Sequence, residues 1–162
     1  MRATLTHALQ DANGVARTLS GLCGKAVVCR PGKPFAPAPR SPVVVASYVE
    51  AGNRLAAVLV MDLGLAASAG AALVMLPPVM AQECIKAGKI TENVDENLHE
   101  VMNVCATLFN SQNTPRVALG TVAAVEKLPD PVVAFAKAPS TRLDLEVALP
   151  GYPGGKLSLF TT

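Results

Sequence analysis

The chain of 162 residues is close to the usual size of one domain, so it can bury a core without a disulfide or a metal. Hydrophobic residues make up 51% of it and charged residues 16%, and its mean hydropathy is +0.37, which excludes an intrinsically disordered chain. The net charge of +2 is spread without a Lys/Arg cluster, and there is no Trp. Because basic patches and aromatic platforms are what nucleic acids bind, we do not expect a nucleic acid as partner.

The start of the chain carries Arg2 and Asp11 and lacks the unbroken apolar run that an export signal needs, so we expect a cytoplasmic protein. Residues 63–82 are uncharged over a length that could span a bilayer. They are rich in Ala, Gly and Ser, however, and include Pro77 and Pro78. This composition favours a buried helix of a soluble protein, and we predict no membrane span.

Cysteines and histidines are the residues that would indicate a metal centre, and here none of them forms a CxxC or HxxxH pair. The residues concerned are Cys23, Cys29, Cys84, Cys105, His7 and His99. We therefore predict no metal site and no cofactor bound by this chain, with the cysteines reduced and buried as small hydrophobic side chains.

The first part of the chain is predicted to contain one helix and one strand. Residues 3–20 repeat apolar side chains at helical spacing, and Gly21 and Gly24 stand where that helix should end. A short β-branched run at 25–30 predicts a strand. The Pro-rich segment 31–42 is predicted to be an exposed loop, because proline is excluded from the interior of a sheet.

A β-hairpin is predicted next, formed by residues 43–50 and 55–61. Gly52 and Asn53 lie between the two runs, and both residue types tolerate the positive φ of a tight turn. We interpret the two runs as central antiparallel strands. Residues 63–76, dominated by Ala and Gly, predict a helix that can lie close to the sheet.

Asp62 precedes this Ala-rich helix and is predicted to be its N-cap, with a site carboxylate as the alternative. A short helix over 78–88 follows the proline pair. The next helix is predicted over 93–110, with Asn93 as its N-cap and Glu96 completing a capping box.

The last part of the chain is predicted to be mainly strands, at 116–125, 131–137, 142–149 and 156–162. Helices packed on one face of a largely antiparallel β-sheet form an α+β fold, which we expect as a single domain over residues 1–162. Antiparallel sheets leave open edges, so we also expect a homodimer in which strand 142–149 or the final strand pairs across a two-fold axis.

The helix predicted over 93–110 separates apolar from polar side chains when it is wound at the helical period. Its polar stripe contains Glu96, Glu100, Asn103, Thr107 and Asn110. Asparagine is unfavourable in the middle of a helix, so Asn103 is a candidate functional residue. An ordinary solvated helix face is the alternative interpretation of the stripe.

Glu96, Glu100 and Asn103 resemble the motif of the CheC/CheX/FliY family of chemotaxis phosphatases. In that motif an acidic residue or serine is followed, after three residues, by Glu, and after two more by Asn. The order of predicted elements also resembles a CheX-like chain over most of the sequence outside 31–42 and 78–88. The resemblance implies a CheX-like α+β domain of a two-component signalling pathway.

The resemblance also implies a partner and a chemistry. The partner would be the phosphorylated receiver domain of a response regulator, which brings its own Mg²⁺. Asn103 would orient the attacking water, and Glu100 would pair with the receiver's lysine. Glu96 and Thr107 would be flanking binding residues of the same face.

Three functions remain open at this stage. The first is a phosphatase that hydrolyses the receiver's aspartyl phosphate, and the second is a CheX-like module that binds a partner or itself without catalysis. The third is an unrelated small α+β enzyme. Binding without catalysis is favoured by two departures from the family pattern. Glu96 stands where the family usually has Asp or Ser, and Glu126 stands near the place of a family proline, with Pro129 and Pro131 following.

Overall fold

A computed structural model of the protein describes residues 11–33, 43–110, 116–125 and 141–161. These residues form four helices and six strands. The helices are α1 (Ala12–Cys23), α2 (Leu63–Leu73), α3 (Pro78–Ala87) and α4 (Glu92–Val104). The strands are β1 (Val28–Pro31), β2 (Val43–Glu50), β3 (Arg54–Asp62), β4 (Ala118–Val125), β5 (Thr141–Ala148) and β6 (Gly155–Thr161).

All six strands belong to one antiparallel sheet with the order β1-β5-β6-β3-β2-β4. β2 and β3 form the predicted hairpin, whose turn holds Gly52 at φ 86° and Asn53 at φ 62°. Both strands lie inside the sheet, as their continuous apolar runs indicate. The α+β class predicted from the sequence is confirmed.

Helices α1, α2 and α4 cover one face of the sheet and form the main core with it, while α3 packs on α2 and α4. Strand side chains such as Tyr48, Leu59 and Leu157 pack there with Leu19 of α1 and Leu98 of α4. The close approach of α2 depends on its small residues. A Cβ on Gly70 would lie 2.6 Å from Val94 Cγ1, so the Ala/Gly composition allows α2 and α4 to touch along their backbones.

The bounds of α1 and α2 differ from those expected. α1 continues past Gly21 and ends at Cys23, where Gly24 caps it in the left-handed conformation with φ 62°. α2 ends at Leu73 because Met75 takes the left-handed conformation with φ 55° and closes the helix. Residues 3–10, which were predicted to begin the first helix, lie outside the described residues.

The predicted capping box at Asn93 is wrong. The helical hydrogen bonds begin two residues earlier, since the amides of Val94 and Asp95 both donate to the Thr91 carbonyl over 3.0 Å. Thr91 is fixed by Cys84, whose sulfur accepts from the Thr91 amide over 3.4 Å. Contact with the preceding helix therefore sets the start of α4, and Asn93 lies in its first turn.

The order of strands contradicts one of the two expected dimer contacts. β6 pairs with β5 on one side and with β3 on the other, so the final strand has no open edge for a second copy. β5 pairs with β6 and, over residues 145–148, with β1, so its residues 141–143 have no described partner strand on that side. Within the described part of the sheet, β1 and β4 are the outermost strands. The homodimer itself stays a prediction.

The Pro-rich segment was expected to begin at residue 31 as a loop, but Pro31 belongs to β1. An outer strand tolerates a proline because one side of it needs no donors. Residues 34–42, the strand predicted at 131–137, and the positions Glu126, Pro129 and Pro131 lie outside the described residues.

Among the residues that the structure describes, no helix is both long and apolar enough to cross a membrane, and α2 has 11 residues.

Candidate functional site

The candidate site is the polar face of α4, which the apolar face of the same helix holds against the core. Val94, Val101 and Met102 are fully buried, and Leu98 is 1% exposed. These residues recur at helical spacing, so the opposite side of α4 must face solvent.

Glu96, Glu100 and Asn103 all lie on that exposed side. Glu100 and Asn103 are three residues apart, which places neighbouring side chains on one helix face. The side chains of these three residues form no hydrogen bond or ion pair with any other described residue. A carboxylate and an amide are thus presented together on a packed helix, and both remain free to bind a partner. Their roles stay predictions.

The exposed side of α4 is acidic. The helix carries Glu92, Asp95, Glu96 and Glu100 but no Lys or Arg. Its one further titratable group is His99. The structure places His99 in solvent, with 51% of its side chain exposed and Nε2 3.8 Å from Asp95 Oδ1. The face therefore suits a partner that presents positive charge.

A buried tyrosine anchors the end of α4 that carries Asn103. The Tyr48 hydroxyl donates to the Met102 carbonyl over 2.7 Å, and the Tyr48 and Phe109 ring centroids are 4.9 Å apart. Burial raises the pKa of Tyr48 well above its ordinary value, so the hydroxyl keeps its proton and remains a donor. Met102 directly precedes Asn103, so this bond fixes the backbone beside the candidate amide.

Tyr48 was not identified from the sequence. A single tyrosine at the end of an apolar strand indicates burial, but its hydrogen-bond partner is 54 residues away in the chain. Register shifts occur beside Tyr48 in its pairing with both β3 and β4. Such bulges redirect the side chains around them, and no pattern in the sequence predicts them.

The polar stripe ends earlier than expected, because α4 stops at Val104 and a 3₁₀ turn, Cys105–Leu108, follows. Thr107 lies exposed in this turn, and its hydroxyl donates to the Val104 carbonyl over 2.9 Å. Asn110 is not part of the exposed stripe. It is half-buried, and its side chain holds the backbone of Val117 through bonds of 2.9 and 3.2 Å.

The chemistry available at this face is binding and orientation. In the described ranges no group of three or more His, Cys, Asp or Glu side chains could hold a metal ion. The four cysteines form no disulfide. Burial raises the pKa of Cys105 to about 12 and that of Cys29 to about 11, which keeps both as thiols. Neither thiol is therefore suited to be a nucleophile.

Asp62 is the N-cap of α2, as predicted. Its Oδ1 accepts from the Leu65 amide over 2.9 Å, and its Oδ2 accepts from the Lys156 amide over 3.0 Å. The second bond ties the start of α2 to β6, a contact that the local sequence does not indicate. Burial raises the pKa of Asp62, while the two backbone hydrogen bonds and the charge of Lys156 oppose that rise.

Comparison with known proteins gives resemblances of fold. No protein-family model matches the chain, and no curated protein matches it. The crystal structure of FliY from Thermotoga maritima is 17% identical in sequence, with 91% of this chain and 82% of that chain covered and a TM-score of 0.47. CheX, in the crystal structure of its complex with CheY, BeF₃ and magnesium from Borrelia burgdorferi, is 11% identical, with 91% and 90% covered and a TM-score of 0.44. Over about nine tenths of its length, the chain is structurally similar to FliY and CheX.

Proposed function

We propose that the polar face of α4 docks on the phosphorylated receiver domain of a response regulator, where Glu100 and Asn103 promote hydrolysis of the aspartyl phosphate. The observation that supports this proposal is the pairing of an unengaged carboxylate with an unengaged amide on one exposed helix face. Their spacing is that of the phosphatase motif which the sequence resembles.

Hydrolysis of an aspartyl phosphate places few demands on this chain. The transition state is loose and in line, so catalysis consists mainly of positioning water and stabilising charge. Water attacks the phosphorus, the bond to the aspartate oxygen breaks, and inorganic phosphate and a free carboxylate result. The Asn103 amide, which can both donate and accept, orients the attacking water.

Glu100 contributes docking. Its carboxylate lies on an acidic helix face, and a receiver lysine beside the phosphoryl group would pair with it. Glu96, on the same exposed side of the helix, extends the negative surface toward the start of α4. Thr107 lies exposed beyond its end, with its hydroxyl oxygen still able to accept a bond.

The test measures the loss of phosphate from a phosphorylated receiver encoded in the same genome, with and without the purified protein. Asn103→Ala should abolish the acceleration while the receiver still binds. Glu100→Ala should mainly weaken binding. Matched controls are Asn13→Ala on α1 and Glu83→Ala on α3, because both side chains are exposed residues of the same types on other helices.

Each outcome separates the functions that the sequence leaves open. If a receiver binds without faster dephosphorylation, the protein is a binding module and the catalytic part of the proposal fails. If no receiver from that genome binds, the whole proposal fails. If the control variants lose activity as much as Asn103→Ala does, the effect does not come from the α4 face.

A further inference from the structure

A second feature lies where the other face of the sheet meets the start of α2. Leu145, Val147 and Leu157 point into the helix-side core, so the alternate residues of β5 and β6 point to the opposite side. A cleft of about 450 Å³ opens there, against the outer strand β1. This volume is in the range of small-molecule sites.

Of the four charged side chains that line the cleft, three stand in one row across three strands. Arg30 of β1 is directly opposite Glu146 of β5, and Glu146 is directly opposite Lys156 of β6. Directly opposed residues share a sheet face, and neighbouring strands are about 4.8 Å apart. The row therefore presents a positive, a negative and a positive group.

The three groups are not paired with each other. No ion pair within 4 Å joins Arg30, Glu146 or Lys156 to another described residue. All three residues are exposed. Arg30 and Glu146 are thus available to a ligand that enters the cleft, and the exposed Lys156 can contact that ligand from beside Asp62, whose carboxylate it also attracts.

Asp62 also lines the cleft, but its oxygens are already engaged. They accept from the amides of Leu65 and Lys156. Asp62 therefore forms part of the cleft wall and holds in place the strand that carries Lys156. The apolar part of the lining comes from Val28, Ala148 and Pro153. Methylene groups of a ligand can pack on these residues.

We propose that this cleft binds a small acidic amino acid, with its two carboxylates on Arg30 and Lys156 and its ammonium group on Glu146. A ligand with charges in the order negative, positive, negative complements the row, and an amino acid with an acidic side chain is a common small molecule that carries them. A simple anion would meet the unpaired Glu146 and be repelled. The proposal does not depend on the function of the α4 face.

The first experiment titrates the full chain with L-glutamate and follows backbone amide signals by NMR. Saturable shifts should be confined to β1, β5 and the start of β6. Glutarate, which lacks the ammonium group, and L-glutamine, which lacks one carboxylate, should each bind about tenfold more weakly, as expected for the loss of one charged contact. Absent or non-saturating shifts, or equal binding of glutarate and L-glutamate, would overturn the proposal.

The second experiment assigns the charges to residues. Arg30→Gln and Lys156→Gln should weaken binding of L-glutamate, while Glu146→Gln should remove the preference for L-glutamate over glutarate. Lys89→Gln is the matched control, since Lys89 is exposed and lies outside the cleft. All four are surface changes that should leave the melting temperature nearly unchanged. Binding that is insensitive to the three cleft variants would place the ligand elsewhere and refute the assignment.

Discussion

Replacing Tyr48 by phenylalanine removes one hydrogen bond and leaves the ring packing in place. The bond joins two fully buried residues, Tyr48 and Met102, over 2.7 Å, so water cannot replace it. The Met102 carbonyl loses this donor inside the core, which lowers the free energy of unfolding by about 1–2 kcal/mol. For a chain of this size, each kcal/mol lowers the melting temperature by about 2–4 °C.

The same change should affect the proposed activity more than the stability. Without the anchor, the backbone before Asn103 can shift, and misplacement by about 1 Å can cost about a hundredfold in rate. We expect receiver dephosphorylation to slow by at least about tenfold at 25 °C, where the variant is still folded. Receiver affinity should change by less than about twofold, because Glu100 keeps its exposed position.

Tyr152→Phe is the matched control for this prediction. The Tyr152 hydroxyl also donates to a backbone carbonyl, that of Leu76 in the connection after α2. Urea denaturation should show a loss of stability for both variants, smaller for Tyr152→Phe because its bond is only partly buried, whereas only Tyr48→Phe should slow dephosphorylation. Equal rates in the two variants would show that Tyr48 does not act by positioning Asn103.

The remaining predictions concern the packing and the charge of the fold. Gly70→Ala should lower the free energy of unfolding by about 1–3 kcal/mol, because its Cβ would lie 2.6 Å from Val94 Cγ1. Gly21→Ala should instead raise the free energy of unfolding, measured by urea denaturation, by about 0.5–1 kcal/mol, because a Cβ on Gly21 would have nothing within 4 Å. Met75→Gly should raise the melting temperature, since Met75 has φ 55°. For Asp62, burial raises the folded-state pKa above 3.8, so its contribution to stability is present at lower pH and declines as the pH rises through that pKa. Asp62→Asn should flatten this part of a pH titration of stability.

Most of the fold could be predicted because its signals are local. The hairpin follows from Gly52 and Asn53 between two apolar runs, and the burial of α4 follows from the spacing of Leu98 and Met102. The cap of α4 could not be predicted, since Thr91 is fixed by the side chain of Cys84 on the preceding helix. Local propensity favoured Asn93, and a tertiary contact overrode it.

The order of the strands in the sheet is the other property that could not be predicted from the sequence. The alternation in β5 predicts one buried and one solvated face, yet it is the same for an outer and an inner strand. Asp144 belongs to the face that the alternation marks as solvated, but only 9% of its side chain is exposed. Arg142 donates two bonds to its carboxylate over 2.8 and 3.0 Å, and the Ser158 hydroxyl of β6 donates a third. This cross-strand partner exists only because β6 pairs with β5.

The two candidate sites lie on opposite sides of the sheet, which makes their tests independent. Glu100 and Asn103 belong to a helix that packs on one face of the sheet. Arg30 and Lys156 belong to strands, and their side chains project from the opposite face. A ligand in the cleft contacts none of the residues that hold α4 in place. Substitutions at Arg30 should therefore leave receiver dephosphorylation unchanged, and Asn103→Ala should leave binding of L-glutamate unchanged. If either substitution altered the other property, the two faces would be coupled through the sheet.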